Sequence, residues 1–145
     1  MGHNIIPILP YQDCPKAIDW LETAFGFERQ MVVPGATDAE VAHAQLKFGN
    51  ALIMVHSLKN ANDPEKKLST PSEAGGVVTT TTYVVVPGDE IEAHFETAKA
   101  AGAEITQTLE AQEYGGHVYV AQDPDGHIWA FGSYDPFAPP PDNES

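Results

Sequence analysis

Hydrophobic and polar positions in this chain run through the same series of patterns twice. In the first half, Ile5 to Pro10 is a short apolar stretch broken by two prolines, which suits an edge or irregular strand. Ile18, Leu21 and Phe25, with Ala17 and Ala24, then recur at helical spacing. Pro15 fits the first turn of that helix, Asp13 its cap, and Gly26 its stop. Phe27 to Val33 reads as extended, Pro34 to Asp38 as a loop, and Val41 to Phe48 with Ala51 to His56 as a hairpin around Gly49-Asn50. The second half opens with Val77 to Val86, rich in Thr, Val and Tyr and therefore strand-forming. Pro87-Gly88-Asp89 turns into a helix with Ile91, Phe95 and Ala98 on one stripe, ended by Gly102. Ala103 to Thr108 extends, and His117 to Gln122 pairs with His127 to Gly132 around Pro124-Asp125-Gly126.

The order strand, helix, strand, strand, strand thus occurs twice, and some letters recur with it. Leu21-Glu22-Thr23-Ala24 answers Phe95-Glu96-Thr97-Ala98, and Phe25-Gly26-Phe27-Glu28 answers Ala101-Gly102-Ala103-Glu104. The expectation is an α+β fold of two tandem βαβββ modules, residues 1–56 and 77–134, in one compact domain. Residues 57–76 form an inter-module loop with three of the seven basic residues and little apolar content. It is either a plain linker or a cover for a cavity. Residues 135–145, with four prolines and three acids, read as a surface tail.

Composition narrows the classes of partner. A chain of 145 residues with 42% hydrophobic content can bury a sizeable core. The net charge of −14 repels nucleic acid and anionic lipid and favours cationic partners, although solubility alone also accounts for it. No long apolar run is present, so a cytoplasmic location is the expectation, and the single Cys14 allows no internal disulfide. Cys14 lies near a helix start, where a thiol pKa can fall, but a small packing residue is the simpler reading.

Candidate chemistry is sparse. His43 and Gln45 share a strand face and could hold two ligands of a metal site if His117 or Glu40 came near. His127 reads as capping its turn, and His94 as an exposed helix residue. Glu113-Tyr114-Gly115-Gly116-His117 combines an acid, a phenol and an imidazole around two glycines, and reads equally as a reactive loop or as ordinary turn chemistry. No glycine-rich phosphate loop, nucleophile elbow or Cys-His pair occurs.

Tyr11-Gln12-Asp13 leading into Ala17-Ile18-Asp19-Trp20-Leu21, Phe25-Gly26-Phe27-Glu28, the strand Ala42-His43-Ala44-Gln45-Leu46, and Asp123-Pro124-Asp125-Gly126-His127 together resemble the vicinal-oxygen-chelate superfamily. That superfamily includes glyoxalase I, extradiol dioxygenases and bleomycin-resistance proteins. Tyr114 to His117 and Trp129 to Tyr134 look most like its uncharacterised glyoxalase-like or PhnB-like branches. The resemblance implies two modules whose mixed sheet forms an open cup, with the helices packed outside. It also implies metal ligands in the first and last strand of each module. Those positions fall at Ile6, Met54, about Thr81, and Ala130, none of which is a usual ligand. The cup is therefore expected to be mainly apolar: Ile6, Ile8, Leu52, Met54, Thr79, Thr81, Tyr83, Ile128 and Ala130, with His56 at the rim and Tyr114 and His117 from the glycine loop.

These readings favour a small-molecule-binding homodimer without a cofactor, sequestering a cationic or aromatic antibiotic-like compound. Trp20, Tyr83, Tyr114 and Trp129 are possible stacking platforms, although the two tryptophans suit packing better. The alternative is a lyase, isomerase or dioxygenase whose Zn, Ni, Mn or Fe is held by relocated ligands around His43, His56 and His117. A third reading is an interaction module that has lost its ligand cup.

Overall fold

The computed structural model describes residues 4–60, 67–113 and 115–138. The elements are β1 (Ile8–Tyr11), α1 (Cys14–Phe25), β2 (Glu28–Pro34), β3 (Val41–Phe48), β4 (Ala51–Ser57), a 3-10 turn (Leu58–Asn60), β5 (Thr81–Val85), α2 (Ile91–Ala100), β6 (Glu104–Ala111), β7 (His117–Gln122) and β8 (Ile128–Gly132). They build two four-stranded mixed sheets, β1-β4-β3-β2 and β5-β8-β7-β6. In each, the first and last strands of a module pair in parallel and the remaining pairs are antiparallel. The duplicated βαβββ order is present as expected.

The helix signals act where the sequence puts them. The Asp13 side chain accepts the Lys16 amide at 3.3 Å, Pro15 lies in the first turn, and Gly26 ends α1 with φ +80. Glu90 precedes α2 without a side-chain cap, and Gly102 follows it with φ +93. Ile18, Leu21, Ala24 and Phe25 are buried on α1, and Ile91, Phe95 and Ala98 on α2.

Both helices cover one face of their sheets and pack on each other, so a single core runs through the two modules. Phe25 sits at its centre, with ring centroids 5.5 Å from Trp129 and 4.6 Å from Phe131. Two hydrogen bonds tie each helix to the end of the other. The Trp20 indole N–H donates to the Ala101 carbonyl at 3.0 Å, and the His94 Nε2–H donates to the Phe25 carbonyl at 2.7 Å. Trp20 and His94 hold the same place in the repeated letters, one residue before Leu21-Glu22-Thr23-Ala24 and Phe95-Glu96-Thr97-Ala98. Phe25 and Ala101 also correspond, each preceding a glycine. Each helix therefore satisfies a carbonyl at the C-terminal end of the other, where no intrahelical donor exists.

Several expectations are corrected. His94 is not an exposed helix residue: its Nδ1 faces the Tyr119 hydroxyl at 2.7 Å, and its ring lies 4.6 Å from that of Phe131. Trp129 is fully buried and Trp20 is half-buried at the seam, in keeping with the packing role favoured for both. The strand expected from Val77 begins only at Thr81, because its partner β8 begins at Ile128 and offers no ladder to earlier residues. The strand expected from Ile5 begins at Ile8. Pro7 contributes its carbonyl to the Met54 amide at 3.0 Å but has no N–H to donate. Part of the inter-module loop (61–66) and of the tail (139–145) lies outside the described residues.

Candidate functional site

With the helices on one face of each sheet, strand alternation turns a defined set of side chains to the other face. On the first sheet the central row is Ile8, Met54, Gln45 and Met31, each paired with the next across β1, β4, β3 and β2. Ile8 is 62% exposed and Met31 46%. Leu52 pairs with Lys47 and Lys47 with Glu28 on one side of this row. His56 and His43, both half-buried, lie on the other side. Gln45 Nε2 is 3.1 Å from His43 Nε2, so the shared face read from their spacing is occupied as a bonded pair. His56 Nδ1 is 2.9 Å from the Ser57 carbonyl. Because a carbonyl only accepts, Nδ1–H is the donor of this bond.

The second sheet has the corresponding rows. Thr81, Ile128, Gln122 and Glu104 form one, and Tyr83, Ala130, Val120 and Gln107 the next. Val85, Gly132, Val118 and Glu110 form the third. Ile8, Leu52, Met54, His56, Thr81, Tyr83, Ile128 and Ala130 therefore lie on the open faces. Three residues expected with them do not. Ile6 precedes β1, and Ile8, two residues on, takes its place beside Met54. Thr79 falls in a bend before β5. His117 shares the parity of Tyr119 and Ala121, which point to the core, so it lies on the wrong face at an exposed strand start. Tyr114 lies outside the described residues.

A divalent ion does not fit the side chains at the paired centres of these faces. Ile8 paired with Met54, and Tyr83 paired with Ala130, provide two hydrocarbons, a thioether and a phenol in place of the imidazoles and carboxylates such ions require; Thr81, expected at the third position, pairs with Ile128 one row away. Among the described residues, no three His, Cys, Asp or Glu side chains converge to hold a metal. The relocated set of His43, His56 and His117 is divided between the two sheets.

A polar cluster that the sequence did not reveal joins the modules beside the open faces. Asp123, 5% exposed, accepts the Tyr11 hydroxyl at 2.6 Å and the Trp129 indole N–H at 3.0 Å through one oxygen. Its other oxygen accepts the amides of Asp125 and His127, each at 3.1 Å. Burial raises the Asp123 pKa, and the bonds from Tyr11 and Trp129, with the charge of His127, work against that rise. Burial, followed by the charge of Asp123, raises Tyr11 well above its usual value. The His127 amide thus helps close the turn as expected, while its ring reaches the Pro10 carbonyl at 2.8 Å. The Gln12 amide donates to Asp125 at 2.8 Å, and the Gln12 side chain reaches Thr70. The turn after β7 is therefore fastened to the β1–α1 link. Cys14 is buried, and burial pushes its thiol up to about 12, the opposite of an activated cysteine.

A cavity of about 340 Å3 opens between Ser72 and Gly76 of the inter-module segment and Glu104, Gln122 and Gly126 of the second module. The Ser72 amide bonds to the Asp125 carbonyl at 3.0 Å, so this part of the segment is docked on the second module.

Residues 4–131 match the family model described as the Glyoxalase/Bleomycin resistance protein/Dioxygenase superfamily. The uncharacterized protein Rv0887c of Mycobacterium tuberculosis is 33% identical over 129 residues, covering 87% of this chain and 71% of its own. Among solved structures, TioX from Micromonospora sp. ML1 is 30% identical with a TM-score of 0.66, covering 90% of this chain and 98% of its own. The fosfomycin resistance protein FosX from Listeria monocytogenes has the same fold at 14% identity, with a TM-score of 0.68 over 94% of this chain and 96% of its own. A family match over nearly the whole chain, on a duplicated βαβββ fold with two open sheet faces, shows that the chain belongs to the Glyoxalase/Bleomycin resistance protein/Dioxygenase superfamily.

Proposed function

We propose that this protein binds a small organic molecule on its open sheet faces, and that a second copy completes each cup. The observation that carries this reading is the character of those faces. Apolar residues that a core would normally bury stand exposed on the outer strands of these faces (Ile8, Met31, Val33 and Tyr83), flanked by a few amides, hydroxyls and imidazoles. Such a lining takes up an apolar ligand and orients it through a small number of polar contacts. An exposed apolar surface of this kind also favours association with a second copy, in which one protomer's face is covered by its partner's. Sequestration needs affinity alone, and the lack of chelating side chains at Met54 and Ala130 does not impair it. The charge of −14 favours a cationic ligand and disfavours nucleic acid. Among the described residues, no helix is long and apolar enough to cross a membrane. The free, buried Cys14 supports a cytoplasmic setting.

Sedimentation equilibrium tests the dimer, and thermal-shift screening with cationic and aromatic compounds tests binding, since a ligand for the native state raises the midpoint. A monomer at all concentrations that responds to no compound would overturn the proposal. Elemental analysis separates it from the metalloenzyme alternative: stoichiometric Zn, Ni, Mn or Fe surviving dialysis would favour catalysis with ligands relocated to His43 or His56.

A further inference from the structure

Tyr83 does not stand upright on its strand. A Cβ placed on Gly132 would meet the Tyr83 hydroxyl oxygen, its Cζ at 3.0 Å and its Cε2 at 3.1 Å. The ring therefore lies across the Gly132 backbone, in the space that any larger residue would fill. The phenol hydroxyl donates to the Tyr134 carbonyl at 2.7 Å, fixing the ring at its far end. Gly132 has no positive φ, so its backbone does not require glycine, and the missing side chain serves the ring above it. Beside the ring, Ala130 and Val120 keep the face low. Tyr83 remains 38% exposed.

Among the described residues of these rows, charge is confined to one edge. Glu104 and Glu110 on β6 share rows with Thr81 and Gly132, while Gln107 shares the row of Tyr83. From β5 to β6 is three strand spacings, about 14 Å. The face thus has an aromatic floor at one side and carboxylates at the other.

We propose that Tyr83, seated on Gly132 and tied to Tyr134, is the stacking floor of the second cup. Its ligand class is a planar aromatic cation, with the ring system on Tyr83 and the positive charge toward Glu104 and Glu110. This rests on the binding function proposed above and specifies its chemistry.

The test is fluorescence titration of the full-length protein with proflavine, a planar tricyclic cation, and with acridine, the same ring system uncharged in neutral solution. Wild type binds both, proflavine more tightly. Stacking on one aromatic ring is typically worth a factor of about ten in affinity, so Gly132→Ala, which lifts the ring, weakens both dyes by about that factor. Tyr83→Leu weakens both similarly. Tyr83→Phe, which keeps a ring but loses the Tyr134 tie, falls between that variant and wild type. Glu104→Gln with Glu110→Gln removes the preference for proflavine and leaves acridine unchanged. Far-UV circular dichroism confirms that each variant is folded, and the tyrosine variants decide the matter if Gly132→Ala is not. Equal affinity of wild type and Tyr83→Leu for both dyes would overturn the floor while leaving ligand binding elsewhere in the cup intact. Failure of wild type to bind any compound of the thermal-shift screen would remove the binding function itself.

Discussion

Acid should loosen the seam between the modules through one residue. His94 is half-buried among Phe25, Phe48, Tyr119 and Phe131, with its Nε2–H on the Phe25 carbonyl and its Nδ1 facing the Tyr119 hydroxyl. Burial lowers its pKa below 6.5, only partly opposed by the Phe25 carbonyl and by Glu90 on the same helix. The folded state thus holds His94 neutral more strongly than the unfolded chain does. Its contribution to stability is complete above the unfolded pKa of about 6.5 and is lost as pH falls from there through the lowered folded value. The largest possible slope for one group is about 1.4 kcal/mol per pH unit, and solvent reaching the half-buried ring makes the real slope smaller. His94→Gln offers an uncharged donor and acceptor at nearly the same positions. Urea unfolding of both proteins from pH 8 to pH 5 gives the difference in stability. That difference should stay flat above about pH 6.5 and then move against wild type as pH falls. Parallel curves across the whole range would refute the argument, because every other titrating group is common to both proteins. His94→Ala, which leaves the Tyr119 hydroxyl and the Phe25 carbonyl without this partner, should cost about 1–3 kcal/mol at neutral pH in addition to the lost packing.

Phe25→Ala should be among the most destabilising substitutions, at about 3–5 kcal/mol by urea unfolding, because its ring fills the centre of the core common to both sheets. Asp123→Asn should cost about 1–3 kcal/mol, since one amide cannot accept from Tyr11, Trp129 and two backbone N–H groups together; an unchanged midpoint would show that the cluster does not hold the modules. Cys14, buried with its thiol raised to about 12, should react with a thiol reagent only as fast as the protein unfolds; rapid modification of native protein would contradict its burial.

The duplicated order and most of the open-face residues were legible in the sequence because alternation and helical spacing are local. Met54, His56, Thr81 and Ala130 needed only a correct register. What could not be read was set by partners distant in sequence. Val77 to Thr80 are as strand-prone as Thr81, and only the start of β8 at Ile128 decides that they lie outside the sheet. His117 was placed by the chemistry of its loop, whereas strand parity turns it from the cup. His94 looked like a solvated helix residue because its environment is built from the other module. Gly132 is itself a signal in the sequence, since a glycine inside a strand marks a close approach, here that of Tyr83.

The two bonds between the helices bear on how such a chain could arise. In an ancestor made of two identical βαβββ copies, the bond from helix to neighbouring carbonyl would be one interaction made twice about a twofold axis. Fusion of the copies allows the two sites to diverge, and here one donor is an indole and the other an imidazole. The indole is indifferent to acid and the imidazole is not. The joint between the helices therefore has one half that acid leaves alone and one half that acid can release.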